Sequence, residues 1–193
     1  MTDTLTPDTV VPFIADIFAR RGAEEYLGEP VTISEHMLQC AELAERSGAS
    51  DALIAAALLH DIGHFTNEFP DDAAEQGIDA VHEEAGAKIL RDYFPPLITD
   101  CVRYHVAAKR YLCATDPAYF GKLSGASVHS LNLQGGPMSA LEVQDFARNP
   151  HLKDILRVRI WDDTGKDPDH AAPPFAHYQP LLERVVQTHA KAT

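Results

Sequence analysis

Apolar residues recur at helical spacing along most of this chain, and this periodicity restricts the possible folds more than any other feature of the sequence. Within residues 8–21, for example, Val11, Ile14, Ala15 and Phe18 follow one another at positions i, i+3, i+4 and i+7. A helix buries such a stripe against other helices, and no segment alternates convincingly between apolar and polar residues as a half-buried strand does. We therefore predict an all-α fold, a compact single-domain helical bundle.

Local signals give the ends of the predicted helices. Thr32 and Glu35, like Ser139 and Glu142, have the spacing of a capping box at a helix N-terminus. Val128–Leu133 is the one stretch that also fits a short extended piece. The predicted helices cover residues 8–21, 32–47, 51–62, 79–94, 97–112, 140–149, 151–162 and 175–190.

The size and charge of the chain exclude several classes of protein. Its 193 residues suit one globular domain, which we place at residues 8–190, with tails at 1–7 and 191–193. Asp and Glu outnumber Lys and Arg by 29 to 16, so the net charge is −13 when histidine is neutral. Nucleic acids and anionic membranes both attract cationic surfaces, and we therefore expect neither as a partner.

The cysteines and the N-terminal sequence predict a cytoplasmic protein. Cys40, Cys101 and Cys113 are odd in number and form no C-x-x-C pair, so we expect buried, reduced thiols rather than disulfides or a zinc site. The N-terminal segment lacks a basic region, and Pro12 and Asp16 interrupt its apolar stretch, which a signal peptide would not show. No apolar run approaches the roughly 20 residues of a membrane span.

Six ionisable residues interrupt the otherwise apolar helices or stand at their ends. They are four histidines and two aspartates: His36, His60, Asp61, His82, His105 and Asp162. Imidazole and carboxylate are ligands that a first-row transition metal such as iron or manganese prefers. Burying so many ionisable groups without a cation is unfavourable. We therefore predict that these residues bind metal.

Asp61 is the residue that predicts two metal ions. Because it directly follows His60 at a helix end, its carboxylate can span two ions while His60 binds one, and ions about 3.5–4 Å apart suit such a bridge. The predicted ligand sets are His36, His60, Asp61 and Asp162 for one ion, and Asp61, His82 and His105 for the other. The second set leaves positions for substrate or oxygen.

A single histidine in a helix is more often a core or surface residue than a metal ligand. That interpretation stands for five histidines in polar or terminal contexts, which we expect at the surface: His129, His151, His170, His177 and His189. It is weak for the six residues above, because they share one pattern of apolar surroundings.

The order of these six residues resembles the HD-domain superfamily of metal-dependent proteins. The segment LLHDIGH, residues 58–64, contains the histidine–aspartate pair, with one further histidine before it and two histidines and an aspartate after it. HD proteins that keep only H…HD…D are mostly phosphohydrolases. The two added histidines resemble the dinuclear branch, which includes di-iron oxygenases and some cyclic-dinucleotide phosphodiesterases.

Six segments in order extend the resemblance over nearly the whole chain. They are YLGEPVTISEHMLQCAELAERSGA, LLHDIGH, HEEAGAKIL, HVAAKRYL, LQGGPM and RIWDDTGK. Together they resemble the HD-domain di-iron phosphonate oxygenases. This resemblance implies two Fe ions, Fe2+ and Fe3+, with O2 as co-substrate. It also implies cleavage of the C–P bond of 1-hydroxy-2-aminoethylphosphonate or its N-trimethyl analogue, giving phosphate and glycine or glycine betaine.

The resemblance assigns catalytic roles to three residues. Tyr26 would occupy the second iron until substrate displaces it, and Glu29 would move with Tyr26 and help to select the amino end of the substrate. His64 would contact substrate or support the metal ligands. Because an aromatic residue and a loop acid often serve packing and solubility alone, these roles rest on the resemblance.

Four further residues are predicted to bind substrate: Lys109, Ser127, Gln134 and Arg159. Lys109 lies four residues after His105, so a helix places its ammonium on the face of that ligand. Arg159 lies three residues before Asp162 and can face the metals in the same way. The other two lie in glycine-containing segments and would donate hydrogen bonds to phosphonate oxygens.

The sequence leaves three alternatives and one question of specificity. An HD-type metal-dependent phosphohydrolase acting on a nucleotide or phosphoester would need the same core without O2. A sensory HD module usually lacks ligands, and a purely structural helical protein would not bury them.

We expect a small-molecule phosphonate as the partner, supplied by an upstream 1-hydroxylase without a stable complex. Either amine fits, and we favour a pocket that accepts a methylated nitrogen.

Overall fold

Helices form the whole architecture of residues 5–26, 28–68 and 82–192, which the computed structural model describes. The α-helices are α1 (Val10–Arg21), α2 (Ile33–Arg46), α3 (Asp51–Leu59), α4 (His82–Leu90), α5 (Pro96–Thr115), α6 (Gly125–Leu133), α7 (Ala140–Phe146), α8 (Leu152–Thr164) and α9 (Phe175–Ala190). Two 3₁₀ segments, Ile62–Glu68 and Phe120–Lys122, lie between them. The predicted all-α bundle is confirmed, while the domain limits at residues 8 and 190 stay a prediction.

Helix α3 is the centre of the bundle. Its residues are apolar after Asp51, and Leu53 to Leu59 are all buried, as expected of a helix that is hydrophobic on every side. Helices α2, α5, α8 and α9 pack around it. Helix α5 in turn packs against α4 and α8, so the elements that carry the predicted ligands surround one point.

Both predicted capping boxes are confirmed. The Thr32 hydroxyl accepts a hydrogen bond from the backbone of Glu35, whose carboxylate accepts one from the Thr32 amide, and Ser139 and Glu142 form the same pair of bonds. Each box satisfies backbone donors that the first turn of a helix leaves free. The helices therefore begin one residue after Thr32 and Ser139.

Several helix predictions differ from the structure, and the helices predicted to end at residues 94, 112 and 149 end at Leu90, Thr115 and Phe146. Helix α3 ends at Leu59 rather than at residue 62, because the chain tightens into the 3₁₀ segment Ile62–Glu68. The extended piece proposed for Val128–Leu133 is wrong, because these residues belong to α6, whose start Ser124 caps by accepting a hydrogen bond from Ser127. The predicted start of a helix at residue 79 lies outside the described residues.

The thiols agree with the expectation of reduced cysteines. Cys40 and Cys101 are buried and Cys113 is half-buried, and all three are free. Among the helices of the described ranges, none combines the length and the apolar character that a membrane span needs.

Candidate metal centre

Helix α3 brings His60 and Asp61 into the middle of the bundle. The helix ends at Leu59, so these two residues follow directly, and their exposed fractions are 0% and 1%. Ionisable side chains at this depth need polar partners or a cation. Helices α2, α4, α5 and α8 supply the other four predicted ligands around them.

His36 and His60 face each other through their Nε2 atoms, which are 3.1 Å apart. Each Nδ1 lies 2.8 Å from a backbone carbonyl, that of Gly165 for His36 and that of Ala57 for His60. A carbonyl only accepts hydrogen bonds, so each neutral ring holds its proton on Nδ1 and directs the Nε2 lone pair toward the other ring. Two lone pairs so close together repel unless both coordinate a cation.

His82 and His105 form a second pair of the same kind. Their Nε2 atoms are also 3.1 Å apart, and Nδ1 of His105 lies 2.8 Å from the carbonyl of Val102. Nδ1 of His82 lies 3.4 Å from a carboxylate oxygen of Glu83. The ring of His105 therefore also directs its Nε2 lone pair toward its partner.

Asp61 lies between the two pairs and presents one carboxylate oxygen to each. Its Oδ2 is 3.6 Å from Nε2 of His36 and 3.4 Å from Nε2 of His60. Its Oδ1 is 3.3 Å from Nε2 of both His82 and His105. Neither oxygen accepts a hydrogen bond from the described residues, although both are buried. This is the arrangement that a carboxylate bridging two cations requires.

The donor set fits two first-row metal ions. Ligand atoms that bind one such ion at about 2.1 Å and at right angles lie about 3.0 Å apart, close to the 3.1 Å within each histidine pair. Asp162 belongs to the first set, since its Oδ1 is 3.4 Å from Nε2 of His36 and also lacks a hydrogen-bond donor in the described part of the chain. All six predicted ligands thus meet, and their coordination of metal stays a prediction.

The protonation states of His60 and Asp61 suit coordination. Burial lowers the pKa of His60 to about 4, so this ring is neutral at neutral pH. Burial opposes the charge on Asp61, but the surrounding imidazoles, His60 above all, hold the pKa of Asp61 well below its usual range. Neutral imidazole and ionised carboxylate are the forms that bind metal.

A cavity of about 240 Å³ opens beside the second histidine pair. His82, His105 and Asp162 contribute to its wall. The wall also contains all seven residues predicted to act on substrate: Tyr26, Glu29, His64, Lys109, Ser127, Gln134 and Arg159. The fold therefore brings the predicted metal ligands and substrate residues to one place, while the individual roles stay predictions.

Tyr26 stacks on a candidate ligand. Its ring lies parallel to that of His36, with centroids 4.5 Å apart, and meets His64 edge-on at 6.1 Å. Burial raises the pKa of Tyr26 well above its usual range, and the carboxylates of Asp61 and Asp162 raise it further. A phenolate at this position would therefore need a nearby cation to stabilise it.

His64 lies in the 3₁₀ segment that follows α3, at the wall of the cavity. Its ring stacks on His82 with centroids 4.3 Å apart, and its Nε2 is 4.0 Å from Oδ1 of Asp61. Burial lowers the pKa of His64, so the imidazole is neutral and free to accept a proton or a hydrogen bond.

Lys109 and Gln134 present polar groups to the cavity. The Lys109 ammonium donates a hydrogen bond to Ser130 at 2.7 Å, and only 3% of the residue is exposed. Burial and the neighbouring Arg159 lower the pKa of Lys109 to about 8. The carbonyl oxygen of Gln134 is buried and accepts no hydrogen bond from any residue that the structure describes. Both groups can therefore take a ligand.

Arg159 is held by two carboxylates. Its Nη1 lies 2.7 Å from Oδ2 of Asp162, and its Nη2 forms a short ion pair with Asp163. Burial opposes ionisation of Asp162, but Arg159 holds the pKa of that carboxyl well below its usual range. The observed contacts orient a candidate metal ligand, and the predicted contact of Arg159 with substrate stays untested.

Comparison with known proteins identifies the family. Residues 33–143, more than half of the chain, match the HD domain family. The [1-hydroxy-2-(trimethylamino)ethyl]phosphonate dioxygenase (glycine-betaine-forming) of Leisingera caerulea is 56% identical over 188 residues, which are 97% of this chain and 96% of that protein. The chain belongs to the HD-domain phosphonate dioxygenases.

Two further relatives extend the comparison. The hydroxymethylphosphonate dioxygenase of Gimesia maris is 37% identical over 183 residues, 94% of this HD-domain chain and 90% of that protein. An uncharacterised protein of Acanthamoeba polyphaga mimivirus is 35% identical over 175 residues, 88% of this chain and 78% of that protein. The similarity therefore covers the helices around the site and not the histidine–aspartate motif alone.

This HD-domain dioxygenase also has residues at the site that the sequence did not single out. The Lys166 ammonium donates a hydrogen bond to Glu29 at 2.7 Å, and the Ser130 hydroxyl accepts the one from Lys109. The segment RIWDDTGK places Lys166 four residues after Asp162. That spacing was the available signal for Lys166, and nothing in the sequence marked Ser130.

Cys40 lies next to the first histidine pair, close enough to share a metal ion with His36 and His60. Its Sγ is 3.8 Å from Nδ1 of His36, but its S–H donates to the carbonyl of Trp161 at 3.4 Å, and burial raises the pKa of the thiol. A protonated thiol is a poor ligand. A Cβ at Gly165 would lie 2.7 Å from this sulfur, so the absence of a side chain there lets the Gly165 carbonyl reach His36.

Proposed function

We propose that this protein uses O2 to cleave the C–P bond of [1-hydroxy-2-(trimethylammonio)ethyl]phosphonate, releasing phosphate and glycine betaine. The primary amine, which would give glycine, is the second substrate to test. The observation that carries the proposal is Asp61, placed between two facing histidine pairs beside a cavity with cationic walls. The 56% identical relative supports the trimethylated substrate, and the names of both characterised relatives support an oxygenase over a phosphohydrolase.

The six candidate ligands would hold two iron ions, Fe2+ and Fe3+. The first set is His36, His60, Asp61 and Asp162, and the second is Asp61, His82 and His105. When bound, the irons would supply O2 activation, while the four electrons that reduce O2 come from the substrate, so the reaction needs no external reductant. The protein orients the ligand rings through backbone carbonyls, which fixes where each lone pair points.

Cationic and hydroxyl groups bind the phosphonate in this proposal. Lys109 offers a buried ammonium, and Ser127 lies on the adjoining face of α6. Gln134, at the end of α6, contributes its side-chain amide, and Arg159 on α8 offers its Nε–H, which no described residue accepts. A doubly charged phosphonate is stabilised by preorganised donors of this kind, and its reacting carbon is thereby fixed beside the metals.

Tyr26 and His64 act at the C1 hydroxyl in this proposal, and Glu29 acts at the amino end of the substrate. We propose that Tyr26 moves aside when the C1 hydroxyl enters and that the Glu29 carboxylate faces the substrate's ammonium. His64 is held neutral by burial, so its Nε2 can accept the proton of the C1 hydroxyl. All three groups lie in the wall of the same cavity.

The proposal includes the setting of the reaction. The substrate carries a hydroxyl at C1, so a 1-hydroxylase must act before this protein, and we propose that the two work without a stable complex. The free thiols of Cys40, Cys101 and Cys113 support a reducing, cytoplasmic location. We keep residues 8–190 as the proposed extent of the HD domain.

The test is phosphate release from both hydroxyphosphonates by the iron-loaded protein, in air and without O2. We expect phosphate from the trimethylated substrate only in the presence of O2, and glycine betaine in equal amount. The control is a set of nucleotides and phosphoesters offered with magnesium or manganese under anaerobic conditions. Turnover of a phosphoester, with none of either hydroxyphosphonate, would overturn the proposal.

A further inference from the structure

The cations of the cavity wall differ in whether a carboxylate already neutralises them. Three cations, Lys109, Arg159 and Lys166, line the described part of this wall. Arg159 is already neutralised by Asp162 at 2.7 Å and by Asp163. Lys109 bonds to a hydroxyl at 2.7 Å, so its charge is free for an anionic ligand.

Lys166 differs from Lys109 because it forms a buried ion pair. Its Nζ lies 2.7 Å from Oε1 of Glu29, and the exposed fractions of the two side chains are 10% and 6%. Lys166 also donates to the hydroxyl of Ser127 at 3.3 Å, and the same Glu29 oxygen accepts a hydrogen bond from Ser124 at 2.6 Å. An anion that reaches Ser127 therefore also reaches the Lys166 ammonium.

The ammonium of Lys166 occupies a position suited to a cationic ligand. It touches the carboxylate of Glu29 and lies 5.6 Å from the centroid of the Tyr26 ring. A carboxylate and an aromatic face are the groups that attract a quaternary ammonium. In the free protein, Lys166 itself supplies the positive charge at this position.

We propose that Lys166 determines specificity by exchanging ion partners when substrate binds. The phosphonate takes Lys166 from Glu29, and Glu29 takes the substrate's ammonium, so each buried charge ends with an opposite charge. This inference rests on the proposed function, which supplies a substrate with both charges. Ser124 keeps its hydrogen bond to Glu29 during the exchange and holds the carboxylate in place.

The exchange favours substrates that carry both charges. A phosphonate without an ammonium has two ways to bind. If Lys166 stays paired with Glu29, the phosphonate binds without the Lys166 ammonium. If Lys166 pairs with the phosphonate, the Glu29 carboxylate stays buried without a counter-charge. A buried unpaired charge is strongly unfavourable. Glu29 and Lys166 together therefore discriminate against uncharged substituents at the amino end.

Two unreactive ligands test this inference. (2-Trimethylammonioethyl)phosphonate and (3,3-dimethylbutyl)phosphonate have the same shape and differ by nitrogen against carbon, and both lack the C1 hydroxyl. Their Kd values for the metal-loaded protein are measured by isothermal titration calorimetry. We expect the wild type to bind the ammonium ligand about tenfold or more tightly than the carbon analogue, since the quaternary ammonium is attracted by the buried carboxylate of Glu29 and the neutral carbon is not.

The decisive variants remove the charge of Glu29 first and then the charge of Lys166 as well. Glu29→Gln keeps the side-chain shape and frees Lys166, so it should bind the carbon analogue about tenfold more tightly than the wild type does. Adding Lys166→Met to Glu29→Gln should abolish this gain. Adding Lys153→Met, at an exposed lysine, is the matched control and should leave the gain intact.

The double variant removes both partners of the ion pair, so it leaves no buried charge unpaired, and circular dichroism checks that it folds. No gain in Glu29→Gln, or a gain that survives Lys166→Met, overturns the inference. Because these ligands do not react, binding is measured apart from turnover. Phosphate release without the predicted binding pattern refutes the exchange alone, whereas the pattern without phosphate release refutes the proposed reaction.

Discussion

Replacing Gly63 by alanine tests whether the second metal depends on the close approach of α4. A Cβ at position 63 would lie 1.8 Å from the carbonyl oxygen of His82 and 2.6 Å from its carbonyl carbon. Carbon and oxygen atoms approach to about 3.3 Å, so the start of α4 must retreat by roughly 1.5 Å. A methyl group has no alternative rotamer, and the atom that it meets belongs to the backbone.

A retreat of this size removes His82 from its ligand position. Its Nε2 lies 3.1 Å from that of His105 and 3.3 Å from Oδ1 of Asp61, whereas metal–ligand distances vary by only about 0.2 Å. We expect the second metal to bind about 100-fold more weakly and kcat to fall about 100-fold. Crowding should also lower stability by about 1–3 kcal/mol.

Metal analysis by mass spectrometry, phosphate release and thermal unfolding measure the three effects separately. Gly121→Ala is the matched control, because nothing lies within 4 Å of a Cβ there. Gly86→Ala gives a graded change, because its Cβ would meet Gly63 and Val102 at 3.1 Å, and its effect should be intermediate. A Gly63→Ala protein with two metals per chain and the kcat of the wild type would refute the reasoning.

The other predictions concern a metal ligand, the phosphonate cation and a helix cap. His105→Ala should reduce the metal content from two ions to one and abolish O2-dependent turnover while circular dichroism stays unchanged; full activity would contradict the dinuclear assignment. In the proposed function Lys109 binds phosphonate as its ammonium, and burial lowers the pKa of Lys109 to about 8. We therefore expect kcat/KM to fall as pH rises through that value, and Lys109→Arg should move the decline to higher pH; identical pH profiles would count against this role. Ser139→Ala removes the cap bond to Glu142 and should lower the free energy of unfolding by about 1 kcal/mol in urea titrations, without changing metal content.

The helices and the six candidate ligands could be predicted because their signals are local. Apolar spacing needs only neighbouring residues, and two predicted capping boxes mark helix starts within one turn. Asp61 indicated a bridge because it directly follows His60 at a helix end. The ligands were predicted to meet at one centre, and the structure places them together. This agreement arises because each of them interrupts an apolar surface that the bundle must bury.

The contacts of Lys166 could not be predicted in the same way. Its bond to Glu29 joins positions 137 residues apart, and each residue alone has the appearance of a solvated charge in a polar loop. The side chains become a buried ion pair only when the end of α8 meets the segment before α2. The prediction of an extended segment at Val128–Leu133 was wrong for a local reason instead. Ser124 caps a helix that begins at the next residue and includes this segment.

The orientation of the ligand rings shows why one metal set depends on tertiary structure more than the other. His60 and His105 bond through Nδ1 to carbonyls three residues earlier, at Ala57 and Val102, so their own helices orient them. His36 instead bonds to the carbonyl of Gly165, 129 residues away. The first set therefore forms only when the end of α8 packs against α2. Because metal that binds the folded site stabilises the fold, metal in the first set should stabilise this long-range packing.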